Sequence, residues 1–66
     1  MGVRQTKEKL KNTIRYFGGE PFYYVSTWNN KKYTQMQGQK FHKYAGQNYR
    51  VIKVKNGMYR LYAESL

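Results

Sequence analysis

Cations and aromatic rings are the side chains of this sequence that could do chemistry, and they are interspersed along the whole chain. The 66 residues hold 13 Lys and Arg against three acidic residues, and the formal net charge is +10. Eight Tyr, three Phe and one Trp accompany these charges. Cations attract phosphates and ring faces stack on bases, so this composition favours a nucleic acid as the partner.

The basic side of a hairpin near the C-terminus is the strongest candidate for a binding site. If residues 49–55 and 58–63 form paired strands, one side of the hairpin carries Lys53, Lys55, Arg60 and Tyr62. A rigid two-stranded ribbon fits the major groove, which favours duplex DNA over RNA as the ligand. The alternative is an ordinary solvated face whose lysines guard a strand edge.

Six further residues could add charge or ring stacking to this site. They lie in two polar stretches of the chain and comprise Lys31, Lys32, Lys40, Lys43, Trp28 and Tyr33. Exposed rings beside a basic hairpin tip can stack on unpaired bases. The alternative for Trp28 and Tyr33 is a place in the core, because aromatic rings bury large areas and a small chain needs them.

Groups suited to catalysis or metal binding are scarce. The chain has no Cys and no Asp, and its only histidine and acidic side chains are those of His42, Glu8, Glu20 and Glu64. Paired carboxylates, thiolate zinc sites and phosphate-binding loops all need residues that this sequence lacks or does not space suitably. We therefore expect no enzymatic activity, no metal and no cofactor.

A protein partner is the alternative function, from a different class. A small phage or mobile-element protein that binds and inhibits a host polymerase or nuclease would have the same size and charge. Arg and aromatic side chains also anchor protein interfaces. Self-association is a further option, because so short a chain buries only about 60% of the surface that its unfolded form exposes.

A membrane is not expected as a partner. No apolar run approaches the roughly 20 residues that span a bilayer. The first residues also lack the apolar segment of a secretory signal, so we expect a cytoplasmic location.

The elements that would position these residues form one domain over residues 1–66. Leu10, Ile14 and Phe17 follow helical spacing, which predicts a helix over residues 6–17 that ends at Gly18-Gly19. The competing interpretation makes residues 12–17 a strand and residues 18–21 a hairpin turn. That version would give five strands and a small β-barrel.

Two hairpins account for the rest of the chain. Residues 22–28 and 33–36 would pair around a turn at 29–32, placing Phe22, Tyr24 and Trp28 on one face. A polar connection over residues 37–48 would follow. In the second hairpin, Asn56-Gly57 predicts a two-residue turn that pairs Lys55 with Met58.

That register places Ile52, Val54, Tyr59, Leu61 and Ala63 on an apolar face opposite the basic one. Packing the N-terminal helix on this face predicts an α+β domain, with one helix on a small antiparallel sheet of three or four strands.

Overall fold

The computed structural model describes residues 2–8, 10 and 13–64. Its five strands are β1 (Gln5–Thr6), β2 (Ile14–Phe17), β3 (Glu20–Trp28), β4 (Tyr49–Val54) and β5 (Met58–Glu64). One helix, α1 (Lys31–Ala45), joins β3 to β4, and a 3₁₀ turn, Lys55–Gly57, joins β4 to β5. The sheet is antiparallel with the order β1-β3-β5-β4, and β2 also pairs with β3. The α+β class is confirmed, but the sheet has five strands where three or four were predicted.

The predicted N-terminal helix is wrong, because Thr6 and residues 14–17 are strand residues that pair with β3. Thr6 lies opposite Thr27, and Ile14 lies opposite Tyr23. Gly18 and Gly19 adopt φ values of 58° and 84°, which suit glycine and allow a tight hairpin turn. The hydrogen bonds of β3 therefore outweigh the helical spacing of the apolar residues. Residues 9, 11 and 12 of the predicted helix lie outside the described residues.

The competing interpretation of this segment was nearer to the structure, since residues 14–17 are a strand followed by a turn. Its number of strands equals that of the sheet, but the set differs, because residues 33–36 lie in α1 and β1 was not predicted. Its closed barrel is not supported, because β4 and the β1–β2 side remain two separate edges of an open sheet.

The helix lies where a returning strand and a polar connection were predicted, so both of those predictions are wrong. Asn30 begins α1 as its N-cap, because its side chain accepts the N–H of Tyr33 at 2.8 Å. Gly46 ends α1 with a φ of 66°, and its N–H donates to the carbonyl of His42 at 3.1 Å. Asn30 is therefore a helix cap and not a turn residue of a hairpin.

The buried contacts of α1 explain why its sequence shows no apolar stripe. Its two buried residues are Thr34 and Gly38. The Thr34 hydroxyl donates to the Asn30 carbonyl at 2.7 Å, and Gly38 lies against the ring of Tyr49. Glycine at position 38 lets the helix approach β4 closely, so the packing depends on a residue that has no side chain.

Helix α1 crosses in front of β5 and packs mainly on β5 and β4. The strand pairings assign residues of β3, β4 and β5 to the helix side or to the opposite side of the sheet. The helix side carries Tyr23, Ser26 and Trp28 of β3, Tyr49, Val51 and Lys53 of β4, and Tyr59, Leu61 and Ala63 of β5. The opposite side carries Phe22, Tyr24, Thr27, Arg50, Ile52, Val54, Arg60, Tyr62 and Glu64.

Two irregularities overturn the predicted faces. A register shift between Tyr24 and Ser26 places Phe22 and Tyr24 on the side opposite Trp28. In the last hairpin, Val54 pairs with Met58 across three residues, where a two-residue turn was predicted. This offset of one residue separates Ile52 and Val54 from Leu61, because a slip of one residue moves a strand's side chains to the other face.

Replacing Gly38 tests how closely α1 approaches β4. Helix propensity alone would make Gly38→Ala stabilising by up to about 1 kcal/mol. We expect the opposite sign, because the new methyl group would overlap the Tyr49 ring and overpacking typically destabilises by about 1–3 kcal/mol. Urea unfolding measures the change, with the exposed Gln39→Ala as the control, expected within about 0.5 kcal/mol of the parent. A more stable Gly38→Ala protein would contradict this packing.

Candidate nucleic-acid interface

The predicted basic side of the last hairpin is not one surface. Lys53 pairs with Tyr59 on the helix side, whereas Arg60 pairs with Ile52 on the opposite side. Lys55 lies in the 3₁₀ turn between the strands. Tyr62 is only 3% exposed and cannot stack on a ligand. The three-residue connection is the cause. It shifts the pairing of β4 with β5 by one residue, and this shift changes which residues of the two strands share a side of the sheet.

Arg60 forms an internal ion pair. Its Nε donates to Oε2 of Glu8 at 2.8 Å, and the two side chains are 28% and 15% exposed. The hydrogen bond to Glu8 raises the pKa of the Arg60 guanidinium, against the opposing effect of burial. Arg60 therefore stays charged, but its charge acts within the protein, where it binds Glu8 and holds the N-terminal segment on the sheet.

An aromatic cluster encloses Tyr62. Its ring centroid lies 5.7 Å from Phe17 and 5.9 Å from Tyr24, and Phe17 lies 5.2 Å from Phe22, all edge to face. Two arginines that sequence reasoning did not single out border this cluster. The Arg15 guanidinium lies 5.4 Å from the Phe17 centroid, and that of Arg50 lies 5.8 Å from the Phe22 centroid.

Five exposed cations from three segments of the chain lie at one end of the sheet. We call them the cationic end: Arg4, Lys31, Lys32, Lys53 and Lys55. Trp28, Tyr59 and Lys53 form one row across the sheet, and α1 begins at Lys31, just after this row. Lys55 follows the end of β4 at the same end.

Arg4 joins this end through its backbone. Its N–H donates to Oδ1 of Asn29 at 2.7 Å, and its carbonyl accepts the Asn29 N–H at 3.0 Å. Sequence reasoning missed Arg4, because only the pairing of β1 with β3 brings the N-terminal segment beside Asn29. Within residues 2–8, 10 and 13–64, the one ion pair shorter than 4 Å is Arg60–Glu8, which involves none of the cationic end.

Lys31 and Lys32 occupy an unfavourable place on the helix. Both lie in the first turn of α1, which contains no acidic residue. The N-terminus of a helix carries a partial positive charge, so a cation there is destabilising and an anion is attracted. Lys31 and Lys32 therefore lower the stability of the unbound protein and increase the positive electrostatic potential that attracts an anionic ligand.

Trp28 and Tyr33 form one half-buried pair, and neither presents an isolated ring at a hairpin tip. Their ring centroids lie 4.6 Å apart, and Trp28 Nε1 donates to Oγ of Ser26 at 2.8 Å. The pair packs the start of α1 on β3, which corrects the predicted hairpin-tip location.

Lys40 and Lys43 are exposed on the last turns of α1 and not in a loop. The Nζ of Lys43 lies 5.5 Å from the ring centroid of Tyr44, which is 77% exposed. The helix therefore separates these two lysines from the cationic end, and the ten predicted site residues do not form a single cluster.

The remaining carboxylates lie at the other end of the sheet. A cavity of about 480 Å³ there is bordered by Glu20, Glu64, His42 and Arg50. Among the described residues, no three His, Asp or Glu side chains are grouped so that they could hold a metal ion. The described part of the chain also contains no helix with the length and apolarity that crossing a membrane requires.

Comparison with protein-family models, with curated proteins and with solved structures finds no significant match to this chain.

Removing the carboxylate of Glu8 tests the internal role of Arg60. Glu8→Ala should lower the free energy of unfolding by about 1–3 kcal/mol, because it leaves a half-buried guanidinium without its charged acceptor. Glu20→Ala removes the same charge from an exposed position and should stay within about 0.5 kcal/mol of the parent. Thermal unfolding of the two variants measures the difference. Equal stability of the two variants would show that the ion pair contributes nothing.

Proposed function

We propose that this chain is a non-enzymatic nucleic-acid-binding protein whose cationic end contacts backbone phosphates. The observation that carries the proposal is the meeting of five exposed cations from three segments at one end of a rigid sheet. Phosphate contacts supply most of the affinity of sequence-independent binding.

The distribution of acidic residues supports this interpretation over an ordinary solvated surface. Surfaces of small proteins normally mix charges of both signs. Here Glu8 is bound by Arg60, and Glu20 and Glu64 border the cavity at the other end. The chain has no further acidic side chain. The charge of the cationic end is therefore directed outward to a ligand.

The proposal concerns phosphates, which DNA and RNA share. Duplex DNA was favoured on the ground that Lys53 and Arg60 lie on one side of a ribbon. Their positions on opposite sides of the sheet remove that ground. Lys53 and Arg60 therefore do not favour duplex DNA over RNA.

The salt dependence of binding tests the proposal. If the five cations of the cationic end each neutralise one phosphate, log K against log salt should have a slope of about −4 to −5 on duplex DNA. Lys53→Gln/Lys55→Gln should reduce this slope by about two units. Fluorescence anisotropy with a labelled duplex at several salt concentrations gives both values.

The matched control removes two charges elsewhere. Arg15→Gln/Arg50→Gln has the same net charge as the test variant, and both residues are exposed and lie toward the other end of the sheet, opposite Phe22 and Tyr62. Its slope should remain near that of the parent. Equal loss of slope in both variants would mean that net charge acts without a defined contact surface, and no binding at low salt would refute the proposal.

The alternative class, an inhibitor that binds a host polymerase or nuclease, predicts a different result. Such a protein would be captured with its target from a nuclease-treated lysate, and it would bind nucleic acid weakly in the absence of that target.

The first turn of α1 provides a second test. Lys31→Glu/Lys32→Glu should raise the free energy of unfolding by about 0.3–1 kcal/mol for each substitution, because the new carboxylates face the positive helix end. The same variant should bind nucleic acid more weakly. Lys43→Glu makes the same charge change in the last turn, where a cation is favourable, and should be less stabilising or destabilising. Equal stability changes per charge at both ends would exclude the helix dipole as the cause.

A further inference from the structure

Helix α1 leaves one half of its own side of the sheet uncovered. It packs mainly on β5 and β4, whereas β2 and the adjoining part of β3 lie beyond it. The pairings of Ile14 with Tyr23 and of Tyr16 with Pro21 place these residues on the helix side. Ile14, Tyr16 and Tyr23 are 44%, 68% and 40% exposed. The uncovered half is therefore an exposed surface with two tyrosine rings.

One flank of α1 borders this surface. The contact of Tyr33 with Trp28 shows that the flank carrying Tyr33 faces β3. Gln37 and Tyr44 follow Tyr33 by 4 and 11 residues, so they lie on the same flank. A cavity of about 370 Å³ opens along it, lined by Gln37, Lys40, Phe41, Tyr44, Ala45 and Gln47. Of the exposed residues on this side, Tyr44 lines the cavity, whereas Tyr16, Tyr23 and Ile14 lie on the uncovered half of the sheet toward which this flank faces; we call these four residues together the tyrosine groove.

The positive charge beside the tyrosine groove indicates which kind of ligand it could bind. Lys40 and Lys43 lie beside Tyr44 at its helical wall, and the side chains of Glu8, Glu20 and Glu64 belong to the opposite side of the sheet. A second copy of the chain would bring a net charge of +10 against +10, which opposes self-association. An unpaired nucleic-acid strand offers both phosphates for the lysines and flat bases for the rings.

We propose that the tyrosine groove binds unpaired bases of single-stranded nucleic acid by ring stacking, with Lys40 and Lys43 on the adjacent phosphates. The inference rests on the proposed nucleic-acid binding and specifies its ligand. A duplex keeps its bases stacked internally, so it would contact the cationic end alone. Single strands would contact both surfaces.

Three labelled probes of equal length separate stacking from charge: a single-stranded oligonucleotide, the same backbone with abasic sites, and a duplex. The parent protein should bind the oligonucleotide at least about tenfold more tightly than the abasic strand. Tyr16→Ala/Tyr44→Ala should abolish that difference, since loss of one stacked ring weakens binding by about fivefold or more. Its affinity for the abasic strand and the duplex should not change.

Tyr16→Phe/Tyr44→Phe is the matched control, because it keeps both rings and should keep the preference for bases. Both tyrosines are highly exposed, so the alanine variant should fold, and circular dichroism melting checks this. Tyr44→Ala alone changes only the helix surface and gives a second variant if the change in β2 disturbs the sheet.

Several results would overturn the inference. Equal binding of the oligonucleotide and the abasic strand, with a steep salt dependence, would refute stacking and leave the proposed function standing. Failure of all three probes to bind at low salt would refute both. A dimer in light scattering that Tyr16→Ala converts to a monomer would show that the groove is an interface between copies. Loss of a protein captured from nuclease-treated lysate, with oligonucleotide binding unchanged, would show that the occupant is a protein.

Discussion

The burial of β5 on both faces is the constraint on which the rest of the structure depends. Leu61, Tyr62 and Ala63 are consecutive and almost fully buried, at 0%, 3% and 5% exposure. Because consecutive strand residues point to opposite faces, this strand needs a cover on each side. Helix α1 covers one side, and the aromatic cluster with the Glu8–Arg60 pair covers the other. With no cysteine to form a disulfide, the chain depends on these two layers for stability.

The burial of both faces of β5 also limits where charged side chains can lie. Both faces of the central strand are occupied, so most of the described cations lie at the ends, at the edges and on the outer surface of the helix. Arg50 and Lys53 lie on β4, the open edge, where like charges oppose pairing with another copy. The proposed roles of the cationic end and the tyrosine groove use two different chemistries, attraction of phosphates and stacking of bases, on one small domain.

Local sequence signals predicted some elements and missed others for identifiable reasons. The strands of the last hairpin and residues 22–28 were predicted because β-branched and aromatic residues surround clear turn signals. Helix α1 was missed because its buried residues are Thr34 and Gly38, which carry no hydrophobic signal. The N-terminal helix was predicted because Leu10, Ile14 and Phe17 have helical spacing, yet hydrogen bonding with a distant strand outweighs that local preference.

The sequence by itself determined the net charge, the abundance of rings, the lack of cysteine and the two strands of the last hairpin. Only the tertiary structure decided which cations meet. A turn of three residues separated Lys53 from Arg60, and the pairing of β1 with β3 brought Arg4 to the cationic end. The physical reason is that side chains alternate with a period of two along a strand. A register change of one residue, set by contacts distant in the chain, therefore exchanges the two faces.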